Sequence, residues 1–464
     1  LRFGLTGVLF INLLIRNLMK KPDIVKPSFR YFLLFRLAKF FFRIYYRRMT
    51  VTGRENVPRG VPLIYAANHQ NALMDALAVL FAANRPVVFL ARADIFKKKA
   101  IAALLNLLKM LPVYRIRDGF DAMGNNQQIF EDTVRVLKAG LPLALLPEGT
   151  HTSIKHLQQL KKGICRIAFL AEESSDFNLN LHIVPVGIDY SSYQKAGTHL
   201  LVNYGPPIAI ADYYGLYKDN PQKAIAQLRD DLALAIKKIM IHVENVENYK
   251  EIISLTDIMV PAQLSASGLT DNRVNRFFAS REVIQLIENA SSIKRLDLGQ
   301  AKSDLQAYHN LLQKYGLKNK LFESKLPSAW MFILLFMLSV LLLPVHLYGM
   351  VFNYIPYKLP QKIANMMKDK QFISSVNFGL GFVLFPLWYV LLMVIVWIIT
   401  GNGLLTVISL ISWPFAGLFV FYHYKYLRKL IGKLRLYRLK ARKPDQYRQL
   451  MDLRQKLIQM PDMD

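Results

Sequence analysis

One cysteine in 464 residues excludes several chemistries at once. Cys165 has no second cysteine with which to form an internal disulfide, and no multi-cysteine zinc site can be built. Acids are scarce too: 32 Asp and Glu stand against 60 Lys and Arg, a formal charge of +28. A Walker loop, a dinucleotide glycine fingerprint and a serine nucleophile elbow are all missing. So are zinc-finger spacing and an RNA-recognition signature, which leaves the positive charge without a nucleic-acid motif to serve. Apolar residues, by contrast, make up 53% of the chain, and the mean hydropathy is +0.21. That composition excludes intrinsic disorder and argues against a purely soluble protein. The length suits roughly two to four domains.

The location of the charge points to its partner. Residues 1–50 hold 11 Lys/Arg and one acid, and residues 421–464 hold 12 Lys/Arg and four acids. Both blocks adjoin strongly apolar sequence, as expected where juxtamembrane segments meet anionic lipid. The partners expected are therefore membrane lipids and no nucleic acid. The run Leu5 to Leu14 is too short to span a bilayer, which needs ~20 residues, and it lacks a clear cleavage site. In residues 31–48 the cations Arg36, Lys39, Arg43 and Arg47 recur at helical spacing among Phe, Leu, Ile and Tyr. An interfacial helix fits this pattern better than a buried one.

From about 60 to 210 short apolar runs alternate with helical patterns, which argues for an α/β layered domain. The expected strands are Leu63–Ala67, Val87–Ala91, Pro112–Ile116, Leu143–Leu146, Ile183–Ile188 and Leu200–Tyr204. Helices are expected around 73–82, 98–109, 126–138 and 161–173. Residues 217–320 read as a polar helical extension of the same body, with Thr256–Asp271 as a loop. After Lys325 the chain turns apolar. Ser328–Phe352 contains Pro344; Val376–Thr400 and Leu404–Tyr422 are separated by Gly401-Asn402-Gly403 alone. The last two read as a hairpin that crosses and returns. The first either spans or is re-entrant. Spanning would put Lys358, Lys362, Lys368 and Lys370 of a loop 353–372, and the basic tail, opposite the 50–325 domain. The positive-inside tendency favours re-entry. The expected division is thus 1–50, an interfacial region; 51–215, the α/β domain; 216–325, a helical extension; 326–423, the membrane region; and 424–464, a basic cytoplasmic tail.

Four short motifs could carry chemistry. Asn68-His69-Gln70-Asn71-Ala72-Leu73-Met74-Asp75 follows an apolar strand and opens a helix. A carboxylate there can hold one imidazole nitrogen so that the other takes a proton from a hydroxyl. In isolation such a pair is more often a cap and a surface acid. Leu111-Pro112-Val113-Tyr114-Arg115-Ile116-Arg117 ends a strand in guanidinium groups suited to phosphate, or simply to solvent. Pro147-Glu148-Gly149-Thr150-His151 leads on to Lys155, Lys161 and Lys162. Its glycine, hydroxyls and N–H groups could line an anion pocket or make an ordinary turn. Ile183-Val184-Pro185-Val186-Gly187 reads as a punctuated strand end.

Taken in this order, the four resemble the motifs of the glycerolipid acyltransferase superfamily, over about residues 55–210. The resemblance implies His69 and Asp75 as the catalytic pair. It also implies an acceptor site drawn from Arg115, with Arg117 as the fallback, and from Glu148, Gly149, Thr150, His151 and Lys155. The stretch Asn203-Tyr204-Gly205-Pro206-Pro207-Ile208 is similar to the end of that family's domain. Two departures stand out. Five residues separate His69 from Asp75 where four are commonest, and His151 stands where an arginine is usual. The implied fold is α/β, a layered acyltransferase domain with a helical extension and C-terminal α-helical membrane segments. The implied reaction moves a fatty acyl group from acyl-CoA or an acyl carrier protein to glycerol-3-phosphate or lysophosphatidate in phospholipid biosynthesis. Neither a metal nor a cofactor is implied, and the thioester is a co-substrate. Cys165 reads as core, and the four residues between His151 and His156 put the two on different helical faces, away from a zinc pair. The rivals are an acyltransferase for another lysolipid such as an acylated amino acid, and an inactive membrane lipid-binding scaffold. The enzyme would be integral to the membrane with its catalytic domain on the cytoplasmic face.

Overall fold

The computed structural model describes residues 23–97, 99–113, 121–150, 152–293, 295–324 and 326–460. It divides into two compact units. The first runs to His242 and includes Asp369–Ser375; the second comprises Val243–Lys368 and Val376 onward.

The first unit is built on an eight-stranded sheet. Its strands are β1 (Tyr46–Thr52), β2 (Leu63–Ala67), β3 (Val88–Arg92), β4 (Met110–Val113), β5 (Leu143–Leu145), β6 (His182–Tyr190), β7 (Thr198–Tyr204) and β8 (Ile208–Ala209). Their order is β1-β7-β6-β2-β5-β3-β4, with β8 against β6. The run from β6 to β4 is parallel, β7 and β8 pair antiparallel with β6, and β1 is parallel to β7. All five residues of β2 are buried, as a central parallel strand covered on both faces requires. The helices of this unit are α1 (Phe29–Tyr45), α2 (Leu73–Ala83), α3 (Lys99–Leu107), α4 (Asp121–Lys138), α5 (Gly163–Glu173), α6 (Tyr214–Asp219) and α7 (Pro221–Ile239). Cys165, Ala168 and Phe169 of α5 join Leu228, Leu232 and Ile236 of α7 and Val88, Leu143 and Ile183 of the sheet in one core. Burial there pushes the Cys165 thiol up to about 12, so this cysteine stays a thiol.

Two sequence expectations change here. The helix expected over 31–48 ends at Tyr45, and Arg47 leaves the helical stripe for β1. Arginines within Tyr46–Thr52 hide a strand from hydropathy. They are tolerated because β1 is an edge strand, where charge blunts unwanted pairing. Gly187 does not end a strand: β6 runs on to Tyr190.

The second unit holds α8 (Tyr249–Ala266), α9 (Arg273–Ser292), α10 (Leu298–Lys314), α11 (Ala329–Leu341), α12 (Leu343–Asn365), α13 (Ile373–Thr400, its first turn in the other unit), α14 (Gly403–Arg442) and α15 (Pro444–Gln459). The loop expected at Thr256–Asp271 is helical as far as Ala266, with Pro261 inside it. Ile252, Leu255, Ile258, Met259 and Leu264 are buried, and that burial outweighs the Pro, Ser and Thr residues that resemble punctuation. The stretch 353–372, a loop under the spanning alternative, is likewise helical to Asn365, so Lys358 and Lys362 lie on α12. The basic segment after 424 is helical. It continues α14, and α15 packs on α10 with Lys456 Nζ 2.7 Å from Asp304 Oδ2. The helical region after His242 thus clusters with the C-terminal helices rather than with the sheet.

Lys370–Thr400 and Gly403–Arg442 are long and apolar enough to cross a membrane, and α11 and α12 together reach that length but bend by 48°. The bend lies at Leu342, just before Pro344 in the first turn of α12. Asn353 fixes the α12–α14 approach. Its Nδ2 donates to the Trp413 carbonyl at 3.0 Å, and its Oδ1 accepts from Tyr389 Oη of α13 at 2.5 Å. Inside an apolar bundle such bonds replace the missing water.

Candidate active site

Parallel register assembles the site. Ala66 of β2 lies opposite Leu145 of β5, so three residues further on each strand come His69 and Glu148, side by side at the carboxyl edge of the sheet. Open α/β sheets place their ligands at this edge. On the other side of β2, Ala67 pairs with Val186 of β6, and the extension of β6 brings Asp189 and Tyr190 to the same edge.

His69 Nδ1 lies 2.9 Å from Asp75 Oδ2. Asp75 is fully buried, in the first turn of α2, where the helix dipole favours a carboxylate. Its Oδ2 also accepts the N–H of Gln70 at 2.7 Å and of Asn71 at 2.6 Å, and its Oδ1 accepts Tyr190 Oη at 2.7 Å. Burial holds the Tyr190 phenol well above its usual range, so it remains a donor. The fifth intervening residue of the His–Asp spacing is taken up in a tight turn, with Met74 N–H donating to the Asn71 carbonyl at 2.9 Å. Ala72 carries φ 44 and ψ −125 in that turn, values of the first central position of a type II′ turn, where glycine is preferred. Ala72→Gly is therefore expected to stabilise the fold by about 1 kcal/mol, raising the melting temperature. An unchanged or lower melting temperature would refute the strain.

Glu148 is 1% exposed. Its Oε1 accepts the His69 N–H at 2.5 Å and its Oε2 the Gln158 N–H at 2.8 Å. Oε1 therefore braces the His69 loop and Oε2 the segment at Gln158, so both oxygens are engaged by backbone N–H groups. Burial raises the carboxyl from 4.5 to about 7. The sign follows: the folded state holds this proton more tightly than the unfolded chain, so stability falls as pH rises through that window. The loss is about 3 kcal/mol by linkage. In Glu148→Gln one N–H meets an amide NH₂, so the variant is less stable throughout, but its deficit should narrow by that amount between pH 4.5 and pH 8. Denaturant midpoints at the two ends measure it, and a constant deficit would contradict the raised carboxyl.

Gly149 takes φ +67, the left-handed backbone that favours glycine, and Thr150 beside it is exposed. Lys155 reaches the same edge, but its Nζ lies 2.9 Å from Asp189 Oδ1, so a carboxylate already offsets its charge. Arg115, Arg117 and His151 lie outside the described residues. Tyr190, Asn68, Gln70 and Tyr193 belong to the site without having been singled out from the sequence. Asn68 clamps β6 with Nδ2 to the Ile188 carbonyl at 3.1 Å and Oδ1 from the Ile188 N–H at 2.6 Å. An unbroken polar run, Asn68 to Asn71, beside the histidine was the available signal.

A protein-family model described as Acyltransferase matches residues 48–189. Over 126 residues the chain is 25% identical to "Glycerol-3-phosphate O-acyltransferase 2" of Saccharomyces cerevisiae, covering 27% of this chain and 16% of that protein. Over 162 residues it is 24% identical to "Probable 1-acyl-sn-glycerol-3-phosphate acyltransferase" of Mycoplasma pneumoniae, covering 34% of this chain and 58% of the other. The chain thus matches less than two thirds of either relative. The crystal structure of the 1-acyl-sn-glycerophosphate acyltransferase PlsC of Thermotoga maritima aligns with a TM-score of 0.31 at 17% identity, covering 45% of this chain and 82% of that one. Residues 48–189 match the Acyltransferase family, and with two relatives whose names are those of glycerolipid acyltransferases they bear out the resemblance of this domain to the glycerolipid acyltransferase superfamily.

Proposed function

We propose that this chain is a membrane-bound O-acyltransferase that moves a fatty acyl group from acyl-CoA or an acyl carrier protein to a hydroxyl of glycerol-3-phosphate or lysophosphatidate. The observation that carries the reading is the 2.9 Å contact of His69 Nδ1 with buried Asp75. With Nδ1–H directed at Asp75, Nε2 is the basic nitrogen. It takes the acceptor's hydroxyl proton as the oxygen attacks the thioester carbonyl; the C–S bond then breaks, and the leaving thiolate recovers the proton. Asp75 stabilises the imidazolium between these steps. Arg115, or Arg117 as the fallback, would hold the acceptor's phosphate together with Gly149, Thr150 and His151, a positioning role.

The membrane reading draws on α13, about 42 Å long at 1.5 Å per residue, against a hydrocarbon core of about 30 Å. It draws too on α1, where Phe29, Phe32, Leu33, Leu37 and Phe40 are exposed along one side, as a helix lying in the interface needs. The pairing of Lys155 with Asp189 weakens the positive field and favours a second acceptor class, a phosphate-free lysolipid such as an acylated amino acid.

The test is thiol release from palmitoyl-CoA by detergent-solubilised protein, with glycerol-3-phosphate, lysophosphatidate or an acylated amino acid as acceptor. Release with a phosphate acceptor upholds the first reading, and release with the amino-acid lipid alone moves the acceptor class. Silence with every acceptor, and again with an acyl carrier protein donor, would leave a lipid-binding scaffold.

A further inference from the structure

We propose that Ser374 and Tyr193 are positioning residues that tie the first turn of α13 to the His69 loop, so that the helix read as a membrane span also holds the catalytic geometry. The rate effect rests on the acyl-transfer reading; the coupling itself does not.

Tyr193 follows β6 by three residues and makes three bonds that matter. Its carbonyl accepts Asn71 Nδ2 at 3.1 Å and the hydroxyl of Ser374. Its own hydroxyl donates to Gln70 Oε1 at 2.8 Å, and Gln70 Nε2 goes on to the Ile154 carbonyl at 3.0 Å. Gln70 and Asn71 are the two residues whose backbone N–H groups hold Asp75 Oδ2. Each therefore carries its backbone to the catalytic carboxylate and its side chain to Tyr193. Gln70, Asn71 and Ser374 are buried, so none of these bonds can be exchanged for water without cost.

The anchoring segment is distinctive. Asp369–Ser375 clusters with the sheet unit, although the chain on either side of it belongs to the helical unit. Ser374 sits at the start of the 28-residue apolar helix α13, 181 residues from its bonding partner. A polar turn placed there, bonded to the one loop that supports both N–H donors of Asp75, links the seating of the helix to the orientation of His69.

The experiment compares the full-length protein in phospholipid nanodiscs with its Ser374→Ala, Ser374→Thr and Tyr193→Phe variants. Hydrogen exchange over residues 68–76 should accelerate roughly tenfold in Ser374→Ala and Tyr193→Phe, with residues 163–173 unchanged and Ser374→Thr close to wild type. Turnover of palmitoyl-CoA should fall roughly tenfold in kcat in the same two variants, as expected of a misplaced catalytic group, with KM unchanged and Thr restoring the rate. Unchanged exchange overturns the proposal. Accelerated exchange with an intact rate, where His69→Ala abolishes that rate, also overturns it. If His69→Ala left the rate intact, the acyl-transfer reading would fall, and exchange alone would still decide the coupling.

Discussion

His69→Ala is expected to lower acyl-thioester turnover by roughly 10²–10⁴-fold, the range that a positioned general base supplies, with KM for the thioester little changed. Asp75→Asn separates charge from geometry. Asp75 Oδ2 collects His69 Nδ1 and two backbone N–H groups, while Oδ1 accepts the Tyr190 hydroxyl. An asparagine can keep its oxygen at the Oδ2 position and turn its NH₂ toward Tyr190, whose hydroxyl can rotate to accept. The loop then keeps its shape, and what disappears is the negative charge that stabilises the imidazolium. Turnover should fall by about 10²-fold or more with a small change in melting temperature. Asp75→Ala is different, because it leaves buried donors without an acceptor at ~1–3 kcal/mol each, and both stability and rate should drop. Retention of most turnover by His69→Ala or by folded Asp75→Asn would remove this pair from the mechanism.

The sequence made the central strands legible because buried strands are continuous apolar runs: β2 begins and ends where hydropathy places it, β5 and β7 differ by one or two residues at one end, and β6 runs one residue further at its start and two at its end. It made the His–Asp pair legible through motif order rather than through periodicity. What it hid has physical causes. β1 carries Arg47 and Arg48 on an edge, where polar pattern and strand are compatible. The Pro261 helix rests on tertiary burial, which local propensity does not encode. Tyr190 was invisible as a site residue because its partner lies 115 positions away and only the β2–β6 register brings the two together. Glu148 was read as facing the acceptor; register instead turns both of its oxygens to backbone N–H groups. Lys155 was read as a phosphate ligand, and the carboxylate that engages it, Asp189, comes from a strand paired with neither flank of its own loop.

Gly187→Ala is expected to be among the most destabilising single-methyl changes in the first unit. In the sequence this glycine looked like the punctuation of a strand end, yet it lies inside β6, paired with Asn203 of β7. A Cβ at this position would stand 2.1 Å from the carbonyl oxygen of Ile239 and 2.7 Å from its carbonyl carbon. Those are backbone atoms at the end of α7, and Asn203 Nδ2 donates to that same carbonyl at 3.3 Å. The methyl therefore cannot be accommodated by a side-chain rotation; either the end of α7 or the strand has to move. Overpacking of this kind costs ~3 kcal/mol, or roughly 10 °C in melting temperature for a unit of this size. Gly163→Ala is the control, since nothing lies within 4 Å of a Cβ there and alanine suits a helix better than glycine. Equal melting temperatures for the two variants would show that the approach at Gly187 is not tight. The effect should also reach the chemistry. Ile188, the next residue, exchanges two hydrogen bonds with Asn68, and Asn68 immediately precedes His69. A shift of β6 away from α7 thus pulls on the residue that precedes the proposed general base, so the variant that remains folded at low temperature should lose kcat there as well, while Gly163→Ala keeps it.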